Sequence, residues 1–171
     1  MKKRRILGIL LLLTALGGTS VYTSLQQDEL SADQLLEMIK KDGPTEISAG
    51  GAWVTPVQYF ADSYAPEAVL ELMKLGYSAS SVTTENTHLP LDICLQSLQF
   101  LQLGQDADGP EYSSLKTLDI LLQHGALPGE RSRDLLPIDD QLRNEVLAVF
   151  EKHGINLLSG ADVCNDCCPA E

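Results

Sequence analysis

Cysteine is the residue type with the most chemical potential in this chain, and three of its four copies lie in the C-terminal tail. Cys164, Cys167 and Cys168 form the sequence CNDCC. In an oxidising compartment this spacing favours a local disulfide that joins Cys164 to either Cys167 or Cys168. The third tail thiol is then left to bridge another molecule or to reach another cysteine. We therefore treat residues 159–171 as a cysteine-containing tail.

A metal site at the same motif has less support. Cys-x-x-Cys is half of a zinc site, but no second Cys-x-x-Cys and no closely spaced pair of histidines accompanies it. A thioredoxin-type redox motif needs a βαβ context, which the surrounding sequence lacks. We predict no metal and no cofactor. A thiol-active accessory protein that uses the tail stays open as an alternative function.

The remaining cysteine and the histidines fit structural roles. Cys94 falls on the apolar face of a predicted helix, where a small buried residue is expected. His124 and His153 each precede a glycine that ends a helix, where an imidazole can bond the last carbonyl groups. No nucleophile elbow, phosphate-binding loop, His-Glu-x-x-His or dinucleotide motif occurs. The sequence thus predicts a protein that is not an enzyme.

The N-terminus has the three zones of a secretory signal peptide. Four basic residues precede the apolar run from Ile6 to Leu16, and small residues follow it up to Ser20. The run is short for a membrane span, so we expect residues 1–20 to be cleaved, with an uncleaved anchor as the alternative. The predicted location is the periplasm, without stable membrane insertion after cleavage. Residues 21–30 read as a linker.

The mature chain is strongly acidic. The whole sequence contains 12 basic and 24 acidic residues, a net charge of −12. Loss of the signal removes four basic residues and no acidic ones, which leaves 8 against 24 and a net charge of −16. Nucleic acid is excluded as a partner, because its phosphates would be repelled. A protein partner with a basic surface is favoured.

Four apolar helix-like segments end in glycine, at Gly43, Gly76, Gly125 and Gly154. The first two glycines are 33 residues apart and the last two are 29 apart. Helix openers that contain proline recur between them, as Thr55-Pro56-Val57, Leu89-Pro90-Leu91 and Leu136-Pro137-Ile138. Each predicted helix is too short to be stable alone, so the helices must stack as units of a series.

This series resembles the ankyrin repeat, whose unit of about 33 residues begins T-P-L-H-x-A. The resemblance covers residues 31–158, and Leu91-Asp92-Ile93-Cys94 is similar to a TPLDIA variant of the opening. It implies an all-α solenoid of about three helix-turn-helix repeats with capping helices. The chain departs from the family in three ways: Gln58 and Asp92 replace the histidine, an insertion lies near 104–112, and the last repeat is short.

Beyond these units, the pattern predicts how the chain connects them. Ser31 to Gln34 is a capping box that opens an N-terminal helix. We expect the helix from Pro90 to continue to Gly104 and the closing helix to run from Asn144 to Lys152. Three connecting segments, here called fingers, project between the helices: the first is 47–54, the second 77–87 and the third 126–136.

Ankyrin proteins present such fingers and their inner helices to protein partners, so the resemblance implies a protein-binding module. A small, exported, acidic binder suggests an inhibitor or immunity-type protein that neutralises a partner such as a secreted toxin. The alternative is a periplasmic protein that assists or stabilises an enzyme. The sequence favours equally a Trp53 side chain buried in the core and one that is exposed as an anchor for a partner. The candidate partner-binding residues are Trp53, Tyr77, Thr83, Thr84, Glu85, Arg131 and Arg133.

Overall fold

The computed structural model describes residues 31–49, 51–104 and 109–158. The predicted signal peptide, the linker, the cysteine tail and the centre of the insertion lie outside these ranges. The described chain is mostly helical, as predicted. Its elements are α1 (Ala32–Asp42), β1 (Ile47–Ala49), β2 (Ala52–Val54), α2 (Pro56–Asp62), α3 (Pro66–Lys74), α4 (Pro90–Leu98), α5 (Pro110–Gln123) and α6 (Asp140–Lys152).

Local capping starts the first two helices at the predicted residues. The Ser31 hydroxyl accepts from the Gln34 amide, and the Gln34 side chain accepts from the Ser31 amide at 3.0 Å. Thr55 and Gln58 repeat this capping box at α2, with Pro56 at the first helical position, where its missing amide hydrogen costs nothing. These helix starts could be predicted from the sequence because the residues that form each capping box lie within one helical turn of each other.

The four glycines predicted to end helices all have left-handed backbones. The φ angles are 58° at Gly43, 89° at Gly76, 84° at Gly125 and 75° at Gly154. Residues with a Cβ rarely adopt this conformation, which explains glycine at these four places. The predicted ends of α1, α3, α5 and α6 are therefore confirmed.

The first finger is an antiparallel hairpin rather than an irregular loop. Ile47 lies opposite Val54 and Ala49 opposite Ala52, with Gly51 at φ 86° in the turn. Ile47 and Val54 are buried, so the base of the hairpin is part of the core. These two strands are a small exception to the expectation of helix throughout.

The helices pack as two neighbouring pairs. Helix α2 packs on α3 and α4 packs on α5, while α2 also contacts α4 and α3 also contacts α5. Helix α6 packs against α5. The largest completely buried side chains are aliphatic or phenylalanine, in keeping with aliphatic packing between helices: Leu35, Ile39, Ile47, Phe60, Leu72, Leu91, Leu95, Leu98, Leu118, Leu121, Leu142 and Phe150.

Helix α4 ends at Leu98, so the prediction of a long helix reaching Gly104 is wrong. The Gln99 amide bonds to the Gln96 carbonyl in a tight last turn. The Gln99 carbonyl then accepts from the Ile138 amide at 3.1 Å, and its side chain donates to the Asp134 carbonyl at 3.2 Å. These bonds to a distant segment compete with continued helix. Phe100, just beyond the end, is 76% exposed.

Helix α6 begins at Asp140, before the predicted Asn144 and after the predicted opener at Pro137. Asp139 provides the N-cap, since its carboxylate accepts from the Leu142 amide at 2.8 Å. The Pro137 carbonyl accepts from the Arg143 side chain at 2.8 Å. Pro137 therefore precedes the helix as part of the connection, and it does not occupy the first turn.

Candidate partner-binding groove

A groove lies between the first two fingers and the helices that follow them. Its volume is about 470 Å³. The hairpin contributes Ala49, Ala52 and Val54, and the connection before α4 contributes Asn86 and His88. Helices α2 and α4 supply the rest of the lining, which consists of Gln58, Tyr59, Asp62, Ile93 and Gln96.

Gln58 holds the second side of this groove in place. Its side-chain nitrogen donates to the Asn86 carbonyl at 2.9 Å and to the His88 carbonyl at 2.7 Å. Its side-chain oxygen accepts from the Thr55 amide at 2.7 Å. Gln58 is 1% exposed. The Asn86 carbonyl also accepts from the Thr83 amide at 3.1 Å, so the His88 carbonyl relies more strongly on the Gln58 side chain. One glutamine thus caps its own helix and anchors the next connection.

The first and second fingers are joined at Trp53. The Trp53 carbonyl accepts from the Thr83 hydroxyl at 2.7 Å, and its amide donates to the Glu85 carboxylate at 3.0 Å. The Thr83 hydroxyl also accepts from the Asn86 amide at 2.8 Å. Three of the predicted partner-binding residues therefore lie together, as expected for adjacent fingers.

Their accessibility differs. Thr83 is 4% exposed, so its side chain is a structural link between the fingers and leaves little surface for a partner. Thr84 and Glu85 are exposed, and Trp53 is half-buried. Trp53 thus has features of both positions proposed from the sequence, with a backbone held between the fingers and a side chain that is partly accessible.

The side chains of Tyr77 and Arg133 form hydrogen bonds with backbone carbonyl groups outside the groove. The Tyr77 hydroxyl donates to the Pro44 carbonyl at 3.0 Å, and burial raises the pKa of this phenol. The Arg133 side chain donates to the Leu157 carbonyl at 3.1 Å and to the Leu158 carbonyl at 2.6 Å. Arg133 therefore fastens the last described residues, while Arg131 is exposed on the third finger.

A second buried polar contact shapes the third finger. The Asp92 carboxylate accepts a short hydrogen bond from the Ser132 hydroxyl, and this hydroxyl accepts from the Gly129 amide at 2.9 Å. A Cβ built on Gly129 would lie 3.2 Å from an Asp92 oxygen, so the backbone approaches the carboxylate closely. Asp92 thus has a structural role. Because its side chain is buried, a substrate could not reach it as a catalytic acid or base.

Cys94 is buried, as predicted. Its thiol is 0% exposed and donates to the Ser114 carbonyl at 3.1 Å. Burial raises the pKa of Cys94 to about 12, so the thiol stays protonated and unreactive at neutral pH. Cys164, Cys167 and Cys168 lie outside the described residues, and the disulfide stays a prediction.

His153 contacts a neighbouring helix instead of the last carbonyl groups of its own. Its Nε2 lies 2.7 Å from Asp119 on α5, and the Lys152 ammonium donates to the same carboxylate at 2.8 Å. Partial burial raises the pKa of Asp119, but the hydrogen bonds from Lys152 and His153 outweigh it, and the net pKa is lowered. This cluster joins α6 to α5.

None of the ten residues that line the groove is among the predicted partner-binding residues. Four of them, Tyr59, Asp62, Ile93 and Gln96, lie on helices α2 and α4. Tyr59 and Asp62 are three apart on α2, as are Ile93 and Gln96 on α4, so each pair shares one helix face. That spacing is visible in the sequence. The missing information was which face of each helix turns toward the hairpin.

Within residues 31–49, 51–104 and 109–158, no set of three or more His, Cys, Asp or Glu side chains is arranged to hold a metal ion. No helix in that part of the chain has the length and apolar character needed to cross a membrane. Comparison with protein-family models, with curated proteins and with solved structures gives no match.

Proposed function

We propose that residues 31–158 form an ankyrin-like solenoid of about three repeats. Gln58 and Asp92 support this arrangement, because each is the third residue of a helix that begins with proline. Gln58 bonds to the connection that follows the second finger, and Asp92 bonds to Ser132 in the third. Both residues thus attach their helix to a later connecting segment, Gln58 as a donor to backbone carbonyl groups and Asp92 as an acceptor from a side-chain hydroxyl, and this shared position supports the proposal of a repeated unit.

We propose that the protein is a binding module without catalytic activity, and that the groove holds a segment of a protein partner. The observation that carries this proposal is the groove itself, lined by two fingers and two helices. Its lining mixes aliphatic groups, one tyrosine and several polar side chains, which is a composition suited to protein recognition. The partly accessible Trp53 and the exposed Thr84 and Glu85 lie on the same two fingers, outside the lining of the groove, and stay part of the proposed binding surface.

The biological role that fits best is that of an inhibitor or immunity-type protein in the periplasm. The signal-like residues 1–20 and the acidic mature chain support export and a basic partner. Of the two arginines in the third finger, Arg131 stays a candidate contact for the partner because it is exposed. An inhibitor of this kind must bind its target and abolish the target's activity.

The test is capture of the partner with matched variants. The immobilised chain is incubated with native periplasmic extract, and retained proteins are identified by mass spectrometry. Ala52→Arg should abolish retention because the added side chain fills the groove. Ala148→Arg adds the same charge on the exposed surface of α6 and should retain the partner. Equal retention by both variants would contradict the groove as the binding site.

A second measurement addresses Trp53 and inhibition. If the tryptophan is a binding hot spot, Trp53→Ala should weaken affinity by about 2 kcal/mol or more. The captured protein is then assayed for its own activity with increasing amounts of the chain. Undiminished activity at saturating binding would rule out the inhibitor role and favour a stabilising partner.

A further inference from the structure

Asp62 occupies an electrostatically unfavourable position. It is the last residue of α2, where the helix dipole places negative partial charge, and no basic residue lies in that last turn. The other described helices that carry an acidic residue in the last turn also carry lysine there. Examples are α1, which ends with Lys40, Lys41 and Asp42, and α6, which ends with Glu151 and Lys152.

The rest of the described chain does not compensate this charge. The lysines of residues 31–158 lie on α1, α3, α5 and α6, and four of them pair with acids there, namely Lys40, Lys74, Lys116 and Lys152. The Asp62 carboxylate accepts a hydrogen bond from the neutral Ser97 hydroxyl at 3.3 Å. Within the described residues, Asp62 has no ion pair.

Asp62 also lies in the groove, beside side chains that suit a long cationic partner. The lining contains this one carboxylate and the imidazole of His88, and it contains no lysine or arginine. Tyr59 and Ile93 offer apolar surface along which an aliphatic stem can pack while its charged end remains at the carboxylate. The tyrosine ring can in addition attract a cation through its face.

We propose that Asp62 is the binding subsite for one lysine or arginine side chain of an extended partner segment. The proposal rests on the proposed function of the groove and specifies the chemistry that the groove selects. The partner's cation would neutralise a carboxylate that the fold leaves uncompensated at the end of α2. Its neighbours in the segment would lie along the aliphatic hairpin residues Ala52 and Val54.

The probe is a phage-displayed library of random linear peptides, panned against the full chain. We expect the enriched peptides to carry lysine or arginine next to an aliphatic residue. Asp62→Asn should weaken binding of these synthesised peptides by about fivefold, the effect of a partly exposed ion pair. The melting temperature of this variant should not fall, because the substitution removes an unfavourable charge from a helix end.

Asp42→Asn is the matched control, since Asp42 also ends a helix, is exposed and lies outside the groove. It should leave peptide affinity unchanged. If enriched peptides lack a basic residue, or bind Asp62→Asn as well as the parent, the subsite is wrong while binding in the groove stands. If Ala52→Arg binds every enriched peptide as well as the parent does, both the subsite and the groove are wrong.

Discussion

A single buried amide, that of Gln58, links helix capping to the shape of the groove. Gln58→Ala should destabilise the protein by about 1–3 kcal/mol, because it removes the side-chain hydrogen bonds to the Thr55 amide and to the Asn86 and His88 carbonyl groups. The measurement is urea unfolding. Gln96→Ala is the matched control on the same groove, since Gln96 is exposed. Its effect should stay within about 0.5 kcal/mol. Equal effects of the two substitutions would contradict the tethering role.

Cys94 offers a second test at the residue scale. Because the thiol is buried with a pKa of about 12, iodoacetamide should modify it only after unfolding. Mass spectrometry of the labelled peptides separates this cysteine from those of the tail. Cys94→Ala should cost about 1 kcal/mol, whereas Cys94→Arg should prevent folding by burying an unpaired charge. Rapid modification of Cys94 in the folded chain would be incompatible with the packing between α4 and α5.

At the scale of elements, Asp119 attaches the final helix through an ion pair with Lys152 and a hydrogen bond with His153. The ordinary pKa of this carboxyl is 3.8, and it is lowered in the folded chain. As the pH falls, Asp119 is therefore protonated at a higher pH in the unfolded chain than in the folded chain. The resulting stability is complete well above pH 3.8 and is lost as the pH drops below this value through the folded pKa.

Asp119→Asn should accordingly lower the melting temperature at neutral pH and flatten its decline at acidic pH. The measurement is thermal unfolding across a pH series, followed by circular dichroism. Asp42→Asn is a suitable control because Asp42 is exposed and forms no ion pair within the described residues. A parallel decline for the Asp119 variant and the parent would show that this cluster contributes nothing to acid unfolding.

The whole molecule is strongly acidic, and none of the lysines among its described residues lines the groove. The whole sequence has a net charge of −12, and the proposed loss of residues 1–20 would make it −16, so the chain should attract a basic partner over long range. The association rate with the captured partner should fall steeply as salt rises, while the dissociation rate changes less. Stopped-flow or surface-based kinetics at several ionic strengths measures both. A rate independent of salt would exclude electrostatic attraction by the chain.

The sequence by itself determined the features whose causes are local. Capping boxes at Ser31 and Thr55, and the left-handed glycines such as Gly76, act within one turn of helix. Their positions could therefore be predicted from neighbouring residues. The burial of Cys94 followed equally from its place on an apolar helix face. The mostly helical character of the chain follows from the sum of such local signals.

Only the tertiary structure decided the features that depend on distant segments. Helix α4 ends where Gln99 bonds to Ile138, nearly forty positions along the chain. His153 contacts Asp119 because α6 lies against α5. Thr83 became a buried link, and Asp62 became a groove residue, through the packing of fingers on helices. The periodicity of the sequence identifies the apolar face of a helix. Which other element packs against that face depends on the packing energy of the whole chain.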